Sequence, residues 1–167
     1  MNPGSEIFLR LLKHPLKFRM FLLYKLPAAF FSGVKINGVD ENKCSVSIPF
    51  RWLTQNPFQS AYFASLSMAA EMSTGVLAMM YIYKRKPAIS MLITKMVANY
   101  FKKAIGKTFF LCEDGKQIRD IIEETIRTGE AKTIVVKSVG TNNQGEVIAD
   151  FYFTWSFKPK SNLSSPT

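Results

Sequence analysis

The sequence predicts an α+β domain in which a largely antiparallel sheet wraps one long buried helix, with a helical arm ahead of it. Three observations carry this expectation. The stretch Ser60–Tyr83, SAYFASLSMAAEMSTGVLAMMYIY, is apolar on every side and holds a single charge, Glu71. A helix of that kind belongs inside a core. On both flanks the period changes to two: Cys44, Val46, Ile48 and Phe50 alternate with Ser45 and Ser47, and Val147, Ala149, Phe151, Phe153, Trp155 and Phe157 alternate with Asp150, Tyr152, Thr154 and Ser156. The order is two strands, the helix, then four strands with a second helix among them, which suits one sheet curled around the long helix.

Taken in turn, residues 5–31 read as one or two short helices. Ser5 is a plausible N-cap, Ile7, Phe8, Leu11 and Leu12 keep helical spacing, Pro15 opens a second run, and Pro27 stops it. This arm is basic and amphipathic. It is expected to pack against its own domain or a partner subunit, with peripheral contact to a membrane as the alternative. Val34–Val39 and Lys43–Phe50 flank Asp40-Glu41-Asn42 as a hairpin. Arg51 to Phe58 is a loop punctuated by Asn56-Pro57. Strands follow over Ile89–Phe101 and Lys107–Cys112, then an amphipathic helix over Gly115–Thr128. Lys132–Val139 and Val147–Phe157 close the sheet. The domain organisation is thus an arm over 1–31, the sheet domain over 32–159, and a tail over 160–167 expected to be disordered.

Composition narrows the function classes. The chain has 167 residues, 47% of them hydrophobic and 13% aromatic, which fits one globular domain. Cys44 and Cys112 lie far apart and His14 is the one histidine, so no Cys/His zinc set and no disulfide framework are expected, and no metal is assigned. That cysteine usage fits a reducing cytoplasm. Arg10, Lys13, Lys17 and Arg19 interrupt the apolar residues at the N-terminus, so a signal peptide is not expected. Without one the Asn162-Leu163-Ser164 sequon carries no meaning. The net charge of +10 favours an anionic partner. Nucleic acid is not expected, because the aromatics alternate as core and form no exposed stacking row. No Gly-rich phosphate loop is present, and His14 lies too far out in the arm to serve a Ser-His-Asp or Cys-His hydrolase.

Glu71 is the residue that needs a role. As a membrane span, Ser60–Tyr83 would hold it at mid-bilayer at a cost of roughly 3 kcal/mol, with Ser65, Ser67, Ser73, Thr74 and Gly75 diluting the hydrophobicity further. A core helix leaves two readings, a satisfied structural carboxylate or a catalytic one. Helical spacing sets Ser67, Met68, Thr74 and Gly75 on the Glu71 face. Phe63, Leu66, Ala69, Ala70, Val76, Leu77 and Met80 are expected against the sheet.

Asn56, then Tyr62-Phe63-Ala64 six residues on, then Glu71 in the helix resembles the signature of hot-dog fold acyl-CoA thioesterases of the phenylacetate-degradation type. That family keeps Asn, His-Gly-Gly and an Asp or Glu at these places. Ala98 to Gly106, ANYFKKAIG, is similar to the family's Asp-Tyr-Leu-Lys-Pro-Ala-x-x-Gly strand end. The resemblance covers about residues 33–158. It implies the hot-dog fold, a homodimer or dimer of dimers, and hydrolysis of an acyl thioester. Glu71 would act as general base or nucleophile from one subunit into a cleft with the other. Asn56 would orient water or the thioester, and the backbone N–H groups at Phe63 and Ala64 would polarise the carbonyl. Tyr62 stands at the His position as a hydrogen-bond partner or as plain aromatic core. Ser67 and Thr74 are expected beside the substrate. The clusters Lys84-Arg85-Lys86 and Lys102-Lys103 would hold the phosphates of coenzyme A, which enters as part of the substrate and not as a cofactor. The alternative from another class is a non-catalytic binder of acyl-CoA or fatty-acyl chains.

Overall fold

The computed structural model describes residues 3–160. Of the tail expected over 160–167, residues 161–167, with the sequon, lie outside the described residues.

The arm is three helices, not one or two: α1 Pro3–Lys13, α2 Pro15–Lys25 and α3 Pro27–Ser32. Each starts on a proline, whose missing N–H costs nothing in a first turn and whose fixed φ suits the helix. Pro15 and Pro27 therefore begin the next helix as they end the last. Phe8, Leu12, Phe18 and Leu22 are buried, so the arm packs against its own domain.

The sheet strands are β1 Lys35–Val39, β2 Cys44–Ile48, β3 Ile89–Tyr100, β4 Thr108–Cys112, β5 Lys132–Thr141 and β6 Val147–Pro159. Their order is β1-β2-β4-β5-β6-β3, and every neighbouring pair is antiparallel. The first hairpin turns where expected, because Asp40 Oδ1 accepts from the backbone N–H groups of Asn42 and Lys43, at 2.8 and 2.9 Å. Cys44 and Cys112 face each other across β2 and β4 as free buried thiols. On β6, Phe151, Phe153, Trp155 and Phe157 fill the inner layer as the alternation requires. Val147, expected with them, is 42% exposed at the strand's start, beyond the reach of the core.

The long helix, α4, runs Phe63–Ile82. It has the length and apolarity of a membrane span, yet two-thirds of its most apolar window is buried inside the protein. It starts three residues later than the apolar stretch. Ala61 N–H donates to Ala104 C=O and Tyr62 N–H to Thr54 C=O, at 2.8 and 2.7 Å, so these residues are tied to the connection between β3 and β4 and to the preceding loop. Ala69, Ala70 and Ala78 are fully buried and let the sheet approach closely. Two polar pairs fix the helix to it: Ser73 Oγ with Ser138 Oγ at 2.8 Å, and Trp155 Nε1–H donating to Thr74 Oγ1 at 3.0 Å. Buried and fully partnered, such pairs set the register of helix on sheet. The amphipathic helix α5, Gly115–Thr128, packs Ile118 and Ile122 onto α4 and β5. Phe63 departs from expectation. It is 53% exposed, because it opens α4 at the rim, where the sheet no longer covers the helix.

Candidate active site

Glu71 sits midway along α4 on the one face that the sheet leaves open. Residues spaced by three and four build a trough there. Phe63, Ala64, Ser67 and Met68 lead to Glu71, with Ile93, Met96 and Phe153 as the opposite wall, enclosing about 360 Å³. Beyond Glu71 the same face continues through Met72, Gly75, Val76 and Met79. This second part, about 490 Å³, is roofed by Phe8, Phe18, Phe21 and Leu22 of the arm and floored by Met91 and Trp155. Lys25 and Leu26 stand at its edge. The carboxylate therefore marks the junction between an open groove and a covered apolar pocket.

Its electrostatics follow from that place. Burial among apolar groups pushes the Glu71 carboxyl up to about 7, and no ion pair or side-chain hydrogen bond opposes the shift among the described residues. Gly75 gives the side chain its room: a Cβ at that position would come 2.7 Å from Glu71 Oε1. The carboxyl therefore lies over Gly75, directed away from the start of the helix.

The remaining candidates divide by position. Ser67 Oγ donates to Phe63 C=O, and Thr74 Oγ1 donates to Glu71 C=O while accepting from Trp155. Both hydroxyls are thus engaged on backbone and sheet, and neither reaches the carboxylate. Asn56 is turned into its own loop, its Oδ1 accepting from Phe58 N–H and from Ser60 N–H and Oγ. At the start of α4 the N–H groups of Phe63 and Ala64 meet no acceptor among the described residues. Tyr62, 45% exposed, stacks edge-on with Phe63 at 4.7 Å. These groups lie about 12 Å along the helix from Glu71, so one subunit does not bring them together with the carboxylate.

The basic clusters are likewise separated. Lys102 and Lys103 border a wide cavity of about 790 Å³ at the N-terminal end of α4, together with Asn56, Phe58, Tyr62, Phe63, Tyr100 and Phe101. Lys102 pairs with Glu146 at 2.6 Å, and Lys103 Nζ reaches Phe58 C=O at 3.5 Å. Lys84, Arg85 and Lys86 follow the other end of the helix, about 30 Å away. There Arg85 is held in a two-pronged pair with Glu123 at 2.6 Å. One bound nucleotide cannot span both clusters of a single chain. Gly75 lies on the Glu71 face as helical spacing predicts, whereas Met79, Phe18, Phe21 and Trp155 were not expected at the site. Met79 could have been found by stepping eight residues from Glu71, whereas the arm and β6 residues reach it only through tertiary packing.

No curated protein matches the sequence. Solved structures resemble the fold closely. One is a Pseudomonas aeruginosa protein of unknown function called a probable thioesterase, with a TM-score of 0.73 and 19% identity over 87% of this chain and 97% of that one. A thioesterase from Haemophilus influenzae superposes with a TM-score of 0.62 at 11% identity, over 90% and 94% of the two chains. The PaaI protein of the Escherichia coli phenylacetic acid degradation operon gives 0.60 at 14%, over 90% and 96%. At these identities the likeness establishes the fold, with the same sheet wrapped around one long helix. The model of a domain of unknown function, DUF4442, matches residues 17–157, from within α2 to near the end of β6, and the chain is therefore a hot-dog fold member of the DUF4442 family.

Proposed function

We propose that the protein hydrolyses an acyl-CoA or related acyl thioester, with Glu71 as the reacting carboxylate. The observation that carries this reading is the isolated Glu71 carboxyl, pushed up to about 7 at the junction of a groove and an apolar pocket. A base of that pKa is half ionised near neutral pH, where general-base catalysis is most effective. The structural relatives described as thioesterases favour the same reaction class.

As a general base, Glu71 takes a proton from water as the oxygen attacks the thioester carbon. The C–S bond then breaks, and the thiolate leaves with that proton. As a nucleophile, the carboxylate attacks the same carbon, the C–S bond breaks to release the thiolate, and water then opens the resulting anhydride to free the acid and restore the carboxylate. In either case negative charge develops on the carbonyl oxygen and needs donors about 3 Å away. The free N–H groups of Phe63 and Ala64 have the right chemistry but lie about 12 Å from the carboxylate of their own chain. A complete site therefore draws them from a second copy. The sheet supports such a dimer, because β3 ends it with a long edge that also exposes Leu92, Met96 and Val97. An edge of that kind calls for a partner strand.

The acyl group fits the arm-roofed pocket. From Glu71 to Met79 it follows about 12 Å of helix, room for a straight chain of about ten carbons. The nucleotide end of the thioester would lie toward the wide cavity bordered by Lys102 and Lys103.

A second reading is a non-catalytic acyl-chain binder. Bulky, half-exposed Phe63 where the free N–H groups begin α4, and Asn56 spent on its own loop, favour it. A panel of acyl-CoAs of different chain length, offered to the wild type and to Glu71→Gln, separates the two. The thioesterase reading expects turnover that the variant loses. Tight retention of acyl-CoA without turnover would establish the binder instead.

A further inference from the structure

The outer face of α2 carries a pattern that its packing does not explain. Phe18 and Leu22 are buried against the domain. On the opposite side Leu16, Met20 and Tyr24 recur every fourth residue as one row, 68%, 43% and 76% exposed. A helix facing water places polar residues along that line. Here the polar residues flank it instead, with Lys17 on one side and Arg19 on the other. The arm holds Arg10, Lys13, Lys17, Arg19 and Lys25 against a single acid, Glu6. Beside the row, a cavity of about 520 Å³ between the arm and β1 has Lys13, Arg19 and Lys35 among its walls.

Two occupants would cover an apolar row of this kind. A second copy, meeting it about a two-fold axis, would set the row on itself and press cations against cations. An anionic bilayer instead takes the apolar side chains into the headgroup boundary and neutralises the flanking charges. We propose that α2 docks flat on an anionic membrane surface, with Leu16, Met20 and Tyr24 inserted and Lys13, Lys17 and Arg19 on lipid headgroups. The inner face of the same helix roofs the apolar pocket, and Lys25 and Leu26 stand at the pocket's edge. Docking therefore sets the pocket beside a surface where long-chain amphiphiles collect. The docking itself does not rest on the thioesterase reading.

The test is sedimentation of the whole protein with vesicles of phosphatidylcholine alone or mixed with phosphatidylglycerol, at low and high salt. Wild type is expected to partition onto the phosphatidylglycerol vesicles and to be released by salt. Leu16→Asn combined with Tyr24→Asn should weaken partition about tenfold. Lys13→Glu combined with Lys17→Glu should weaken it at least about fivefold for each cation lost. All four positions are exposed, and an unchanged melting temperature would verify that each variant is folded. Equal partition onto both vesicle types, no partition, or variants that bind like wild type would overturn the proposal. So would an oligomer, formed without lipid, that the Leu16/Tyr24 variant loses, since that would give the row to a second copy.

Discussion

Glu71→Gln should make the protein more stable as the pH rises, while removing its activity. In the folded chain burial raises the carboxyl from its ordinary value of 4.5 to about 7. Below about pH 4.5 the group is protonated in both folded and unfolded chains and contributes no difference. Between the two values the folded chain holds the extra proton, so stability falls as pH rises. Above about pH 7 the full cost is present, and 2.5 pKa units correspond to about 3 kcal/mol. Glutamine keeps the shape without the charge, so the variant escapes this cost. Its melting temperature should match wild type near pH 4.5 and exceed it by about 6–12 °C at pH 8. The assay is thermal unfolding of both proteins across that range, at one protein concentration so that any dimer contributes equally. The reading takes the difference between the two proteins, in which the other titrating groups cancel. A gap that stays flat from pH 4.5 to 8 would refute the desolvated carboxylate. A wild type more stable than the variant at pH 8 would mean that the ionised carboxylate is stabilised by a partner.

Three further outcomes follow from the same geometry. Gly75→Ala should gain up to about 1 kcal/mol in helix propensity yet lower turnover, because the new Cβ displaces the Glu71 carboxyl; turnover equal to wild type in a kcat/KM assay would count against the carboxyl's position. Met79→Phe fills the far end of the arm-roofed pocket, so the preferred acyl chain should shorten by several carbons while short-chain turnover persists. An unshifted chain-length profile would place the acyl group elsewhere. Thr74→Val leaves the buried Trp155 N–H without its acceptor and should cost about 1–3 kcal/mol in denaturant unfolding, with no change in the pH dependence of activity.

The fold was legible in the sequence wherever its signal is local. The alternation around Val46 and Phe153, the all-round apolar helix and the Asp40 turn each identify their element within a few residues. Element ends were less legible when distant groups decide them. Ser60 to Tyr62 look like the start of α4, but Ser60 is bound by Asn56, Ala61 by Ala104 and Tyr62 by Thr54. The strand order, which sets Cys44 opposite Cys112 and leaves β3 on an edge, depends on pairings across the whole chain. Glu71 stood out because one charge in apolar surroundings always requires an explanation. Its neighbours were only half visible. Spacing alone joined Thr74 to the Glu71 face, while the structure turns its hydroxyl to Trp155. The arm's role in roofing the pocket had no sequence signal, because Phe18 and Phe21 look like any amphipathic helix until the domain is folded.

The most direct test of the account is the pH dependence of single-turnover hydrolysis of decanoyl-CoA by wild type and Glu71→Gln. The wild-type rate should rise through about pH 7 and level off as the carboxylate ionises. The Glu71→Gln rate should be at least about a hundredfold lower, without that inflection. A Glu71→Gln protein that turns over as fast as wild type, or that keeps the same inflection near pH 7, would contradict the account.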